Sequence, residues 1–401
     1  MRIRGRVIAL TGATLVAVAG LSIGQFVNAT ATNTVVATIS GFTKPYIIAI
    51  APNGSYAYVT NHDGTGNTLS VMSTSTNTVT GTITVGTDPQ GVAFTPNGAY
   101  AFVANQGAGT VSKINTSTNG VTPITDVSFS QPTGVAVSPN GNFAYVTNNG
   151  GNTVSVINTS TSAVTSVNVG NSPQGIAITP NGNFAYVANY GSGTVSVIDT
   201  TSTPNVVTTT ISGTTHAQSV AISPDGTKAY IGSDNNTVTV IATASNTIST
   251  VISGFTDPWG IAFTPDGTQA YVANWGSTVS VVSTATNAIT GTISGFANAR
   301  GLVISASGTY AYVANYGATT VSVIYIGAPD PGVTAPMQAY VPGAGETCGQ
   351  NAPAWVNWPG IANQQNQGWS SSWQKWPNGG TGGMVCVRQP YYTTSGTWSA
   401  G

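Results

Sequence analysis

A chain of 401 residues with nine basic and ten acidic side chains carries almost no electric field of its own. Charged residues make up 5% of it, against about 25% in a typical soluble domain. Without a basic patch, nucleic acid and anionic membranes are excluded as partners. Thr, Ser, Asn and Gly must supply the polar surface instead.

The chain opens with Arg2, Arg4 and Arg6 ahead of an apolar run from Val7 to Val27, closed by the small-x-small triplet Ala29-Thr30-Ala31. That is the pattern of an export signal over residues 1–31. A retained anchor is the alternative reading, because the run is about as long as a spanning helix. Gly12, Gly20 and Gly24 inside it favour cleavage. The expected destination is the extracellular space or cell surface, with no transmembrane segment after cleavage.

From residue 32 one phrase recurs. Pro52-Asn53-Gly54 reappears at Pro96, Pro139 and Pro180, as Pro-Asp-Gly at Pro224 and Pro265, and decays to Ala306-Ser307-Gly308. Successive starts lie 44, 43, 41, 44, 41 and 41 residues apart. A period of about 40–45 residues with alternating apolar positions predicts four-stranded propeller blades. Within one repeat, residues 91–96 read as a buried innermost strand and Asn97-Gly98 as a hairpin turn. Residues 99–105 and 110–115 follow as second and third strands, and residues 121–124 lead into the fourth. The seventh repeat ends without a fourth strand. Residues 33–42 resemble the fourth strands at 246–255 and 287–296 almost letter for letter. The expectation is therefore an all-β, seven-bladed β-propeller over residues 32–327, closed by its N-terminal strand.

Tyr58-Val59-Thr60-Asn61 and Tyr145-Val146-Thr147-Asn148, with variants at 102–105, 186–189, 271–274 and 312–315, carry a resemblance. The chain resembles the YVTN-repeat β-propellers, common in bacterial and archaeal surface and secreted proteins. Only Tyr230-Ile231-Gly232-Ser233 departs from the pattern. The resemblance spans about residues 33–326 and implies a fold rather than a reaction. Recurrence of Asn61, Asn105, Asn148, Asn189, Asn274 and Asn315 predicts a structural role, through bonds to local backbone where the strand ends.

Residues 328–336 are a proline-rich linker. Beyond it, residues 337–401 hold six of the chain's eight tryptophans and both cysteines. A disulfide between Cys348 and Cys386 is expected in an exported chain. Trp369, Trp373 and Trp376 form either a small aromatic core or a platform for stacking sugars.

In a propeller, the loops before the innermost strand and after the second strand meet at one mouth of the channel. Two rings of positions differ from blade to blade there. The first holds Tyr46, Gln90, Thr133, Gln174, Gln218, Trp259 and Arg300; the second holds His62, Gln106, Asn149, Tyr190, Asp234, Trp275 and Tyr316. Blades six, seven and one would gather Trp259, Trp275, Arg300, Tyr316, Tyr46 and His62 into one sector. Aromatic faces around a guanidinium suit a glycan or an extended peptide; the alternative is that the rings pack on one another. No catalytic, metal or cofactor set is recognisable, and propeller lactonases and lyases are matched in shape alone. Asp63, Asp88, Asp234 and Asp257 are candidates for the same rim, with no pair at the spacing of glycoside hydrolysis assignable. The favoured expectation is a non-catalytic exported scaffold that binds a glycan or a cell-surface protein. A structural surface-layer component comes second and a lactonase-like hydrolase third.

Overall fold

The structure, a computed structural model, describes residues 32–327 and three short strands, Ala339–Tyr340, Gln374–Pro377 and Met384–Val387. Among the described residues there is no helix. Residues 32–327 form seven four-stranded antiparallel sheets. The last contains Ala299–Ile304, Tyr310–Asn315, Thr320–Tyr325 and the N-terminal strand Thr34–Ser40, which pairs antiparallel with Thr320–Tyr325.

Each blade buries its apolar residues against the next, giving seven core clusters, one at each junction. At the junction of blades seven and one, Ile39 and Phe42 pack with Ile48, Val59, Met72 and Tyr312. A second tie joins neighbours through the tyrosine of the repeated phrase. The Tyr58, Tyr186 and Tyr230 hydroxyls donate to Asn119, Asn246 and Asn287 of the following blade, and Tyr271 donates to Asn33. These four asparagines sit in the left-handed region, with φ between 52° and 61°, a conformation that asparagine tolerates better than most residues.

The asparagine that ends the phrase is structural: Asn61, Asn274 and Asn315 accept backbone N–H groups of the loop leading to the innermost strand, and all six also bond side chains of the adjacent strand. Asn61 Nδ2 donates to Thr68 Oγ1 and Ser70 Oγ, both at 3.0 Å, on the adjacent strand. The same pair of bonds recurs from Asn105, Asn148, Asn189, Asn274 and Asn315. The Thr-x-Ser triplet of the third strand, with Val in the middle in five blades and Leu69 in the first, is thus the partner of the asparagine. Blade five departs in two linked places. Ser219 stands where five other innermost strands have glycine, and a Cβ on its cross-strand neighbour Gly232 would lie 2.4 Å from Ser219 Oγ.

The outer strands contain no charged residue, so the usual electrostatic protection of edges is missing. A register shift interrupts five of them, Pro123 sits in the sixth, and the seventh, Val164–Asn168, is only five residues long. Each device blunts further pairing.

Innermost strands crowd round the channel, and two glycines set the backbone beneath the mouth. A Cβ at Gly260 would meet the Arg300 carbonyl oxygen at 2.2 Å, and one at Gly301 would meet that of Tyr46 at 2.4 Å. Gly260→Ala is expected to cost about 1–3 kcal/mol by overpacking. Gly81→Ala, where nothing lies within 4 Å, is the control, and urea denaturation midpoints of the two variants check it.

In the tail, Met384–Val387 pairs with both Ala339–Tyr340 and Gln374–Pro377. Cys386 and Trp376 lie on these strands, while Cys348, Trp369 and Trp373 lie outside the described residues. The leader and the linker also lie outside them.

Candidate functional site

The mouth is built from a third ring of positions as well as the two expected. Lys44, Asp88, Gln131, Ser172, His216, Asp257 and Asn298 immediately precede the innermost strands, and all seven adopt positive φ, between 44° and 56°. Holding seven non-glycine residues there is unfavourable unless the surroundings dictate it. The carbonyls of Lys44, Asp88, Gln131, Ser172, Asp257 and Asn298 each accept the N–H of the residue following the second strand, at 2.9–3.1 Å. In six blades the two loops that meet at the mouth are thereby laced together. This ring was missed in the sequence, although the proline that follows five of its members is a signal that the helical region is disfavoured there.

All six residues expected in the aromatic sector come together. The Arg300 guanidinium carbon lies 3.4 Å from the Trp259 ring centre, 4.1 Å from Tyr46, 5.0 Å from Trp275 and 5.6 Å from Tyr316. Arg300 Nη2 donates to the Tyr46 hydroxyl, while its Nε is buried without a hydrogen-bond partner. Burial holds the guanidinium below its ordinary pKa and pushes the Tyr46 phenol up. No carboxylate forms an ion pair with Arg300 among the described residues. The rings do pack on one another, as the alternative reading held, yet Trp259, Trp275 and Tyr316 remain half-buried, and Trp259 lines the channel cavity.

His62 stands at the edge of this cage, 4.5 Å from Tyr46 and 6.0 Å from Tyr316 between ring centres. Its Nδ1 lies 2.5 Å from Asp88 Oδ1. It is a close imidazole–carboxylate contact whose angles fall short of a hydrogen bond. Burial pushes the imidazole below 6.5, and Arg300 acts in the same direction, against the opposing pull of Asp88. With Nδ1 turned to Asp88, Nε2 is the ring nitrogen left to accept a proton when the imidazole is neutral.

Elsewhere on the rim, His216 stacks on Tyr190 with ring centres 4.9 Å apart, and both reach Asp234, at 2.9 Å and 2.8 Å. Asp257 accepts from Gln218 Nε2 at 2.6 Å. Asp63 Oδ1 caps its own turn by accepting the N–H groups of Thr65 and Gly66. Each of the four candidate aspartates thus has its own partner. Both histidines of the chain lie at the mouth, each beside an aspartate; His216 belongs to the third ring, whose positive φ leaves no mark in residue type.

Below the rim lies a cavity of about 360 Å³ on the channel axis, lined by the innermost strands of all seven blades. Tyr46, Arg300 and Trp259 wall one side, and Gln90, Gln174 and Gln218 come from the remaining arc.

The fold and mouth define a seven-bladed propeller with a histidine–aspartate pair beside a caged guanidinium. The profile described as "Lactonase, 7-bladed beta-propeller" matches residues 13–125 and 112–294. The chain belongs to this family. Among solved structures, the hydrazine synthase of Kuenenia stuttgartiensis is similar at TM-score 0.64 and 22% identity, over 75% of this chain and 99% of that one. At that identity the likeness concerns the fold alone. No curated protein matches the chain. Family membership corrects the expectation of a non-catalytic binding scaffold, because the family is named for an enzymatic activity.

Proposed function

We propose that the chain hydrolyses lactones at the channel mouth. The observation that carries this reading is His62 in contact with Asp88 on the same rim as a buried guanidinium that lacks a carboxylate partner, with burial favouring the neutral imidazole. His62 Nε2 takes a proton from water as the water oxygen adds to the lactone carbonyl carbon. The Arg300 guanidinium stabilises the negative charge that develops on the carbonyl oxygen. Collapse of the tetrahedral adduct breaks the ring C–O bond, and His62 returns its proton to the departing alkoxide. The product is a hydroxy acid. Asp88 keeps the imidazole in the tautomer with Nδ1 protonated, the orienting role of a buried carboxylate. The test is pH-stat titration of a panel of γ- and δ-lactones. Acid release above the spontaneous rate is expected for at least one ring size; a panel that opens no faster than buffer overturns the reading.

We further propose that the chain is a YVTN-type member of this family, exported by residues 1–31. In that setting a Cys348–Cys386 disulfide closes the C-terminal module, and Trp369, Trp373 and Trp376 offer it a sugar-stacking platform. Mass spectrometry of the secreted protein, with and without reductant, tests both the cleavage and the bridge.

A further inference from the structure

Away from the mouth, one position breaks the repeat. The fourth residue of the third strand is Val71, Val156, Val197, Val240, Val281 or Val323 in six blades. Five of these valines are at most 3% exposed. In blade two the position is Lys113. A charge set where a core valine belongs is unfavourable unless a partner offsets the lost hydration.

Lys113 Nζ lies 4.3 Å from the Tyr100 ring centre and donates to the Thr159 carbonyl of blade three at 2.6 Å. Lys228 makes the same reach, to the Thr284 carbonyl at 2.5 Å, so a tie between blades is the plain account of both. Two differences separate them. Lys228 opens a second strand, where residue type varies from blade to blade, and it has a carboxylate nearby. That carboxylate, Asp225, is held below its ordinary range chiefly by the Ser223 hydroxyl and also by the Lys228 charge. Lys113 has no carboxylate in ion-pair contact among the described residues, and burial holds its ammonium below the ordinary pKa. Both groups that it touches, Tyr100 and Thr159, line a cavity of about 340 Å³ at the junction of blades two and three, at the hairpin end opposite the mouth.

The rest of the cavity wall is rich in donors. Asn97 and Asn140 spend their Oδ1 atoms on their own turns, accepting the N–H groups of Ala99 and Asn142 at 3.0 Å. Their Nδ2 groups, and the whole side-chain amide of exposed Asn142, have no protein partner among the described residues. An ammonium with two N–H groups to spare and three amides suit a ligand that carries negative charge and many acceptor oxygens. One ammonium matches a monoanion better than a phosphate dianion, and a peptide would bring N–H donors to a wall already in excess of them. We propose that this cavity is a second binding site, for a uronic acid residue of an acidic glycan. The carboxylate lies on Lys113 and the ring hydroxyls on Asn97, Asn140 and Asn142. The volume falls within the range of small-ligand pockets. The site is separate from the channel and stands whether or not the mouth hydrolyses lactones.

The test is calorimetric titration with trigalacturonate, and with galactotriose as its uncharged counterpart. Wild type, Lys113→Val, Asn142→Ala and Arg300→Met are compared, with melting curves to verify that each variant folds. Lys113→Val restores the residue of the other six blades, so the fold should survive it. Trigalacturonate is expected to bind about tenfold or more tighter than galactotriose. Lys113→Val should remove that margin, the effect of a hydrogen bond to a charged group. Asn142→Ala should weaken binding about threefold, as for a neutral hydrogen bond, and Arg300→Met should bind as wild type does. No binding at millimolar trigalacturonate, equal affinity in folded Lys113→Val, or a loss confined to Arg300→Met overturns the assignment. Equal affinity for a triglutamate peptide overturns it too, since charge alone would then be recognised.

Discussion

Replacing His62 with Ala is expected to lower kcat/KM for lactone opening by about 10²–10⁴-fold, the usual contribution of a positioned general base. The neighbours give this prediction a signature that misfolding would not reproduce. Burial holds the His62 pKa below 6.5, so kcat/KM should rise with pH through a limb on the acid side of that value. Asp88 raises and Arg300 lowers the same pKa. Asp88→Asn should therefore shift the limb to lower pH while reducing the rate, and Arg300→Met should shift it to higher pH. Losing the guanidinium should also cost about 10²–10³ in kcat, as for other oxyanion donors. Limbs that move together in one direction would show that His62 is not the titrating base.

The same group has a stability consequence of definite sign. Its folded pKa is depressed, so its contribution is present above pH 6.5 and is lost as pH falls through the folded value. Denaturation midpoints across that window should fall on acidification in wild type and fall less in His62→Gln.

Deleting residues 33–42 is expected to disable the whole ring rather than one blade. Ile39 and Phe42 are each only 3% exposed, and truncating such side chains costs about 2–5 kcal/mol apiece. Asn33 also holds Tyr271 of blade six. These losses approach the entire stability of a typical protein, about 5–15 kcal/mol, and correspond to a melting temperature lower by roughly 10 °C or more. The vacated edge of Thr320–Tyr325 would promote aggregation. A synthetic peptide of residues 33–42 supplied in trans should restore the transition by strand addition. An unchanged melting curve would sink the proposed closure role.

Much of the fold was legible because repetition multiplies weak signals. One Asn-Gly turn or one Tyr-Val-Thr-Asn strand is ambiguous; seven copies at nearly constant spacing leave one architecture. The sector around Arg300 was legible for the same reason, since register places Tyr46 and Trp259 at one repeat position and His62 at another on the same mouth, although the first two stand within the innermost strands rather than in the loops before them. The ring from Lys44 to Asn298 was hidden because a positive φ at a non-glycine residue leaves little trace in residue type. His216 was hidden with it, and so were the partners of the repeated asparagines.

The sequence by itself determined blade count, strand order and which positions escape the repeat, because these depend on local periodicity. Only the tertiary structure decided that His62 meets Asp88 and that Arg300 sits among four rings without a carboxylate. Those relations arise where neighbouring blades turn their loops over one channel. Proximity there is set by closure of the ring, and no spacing along the chain encodes it.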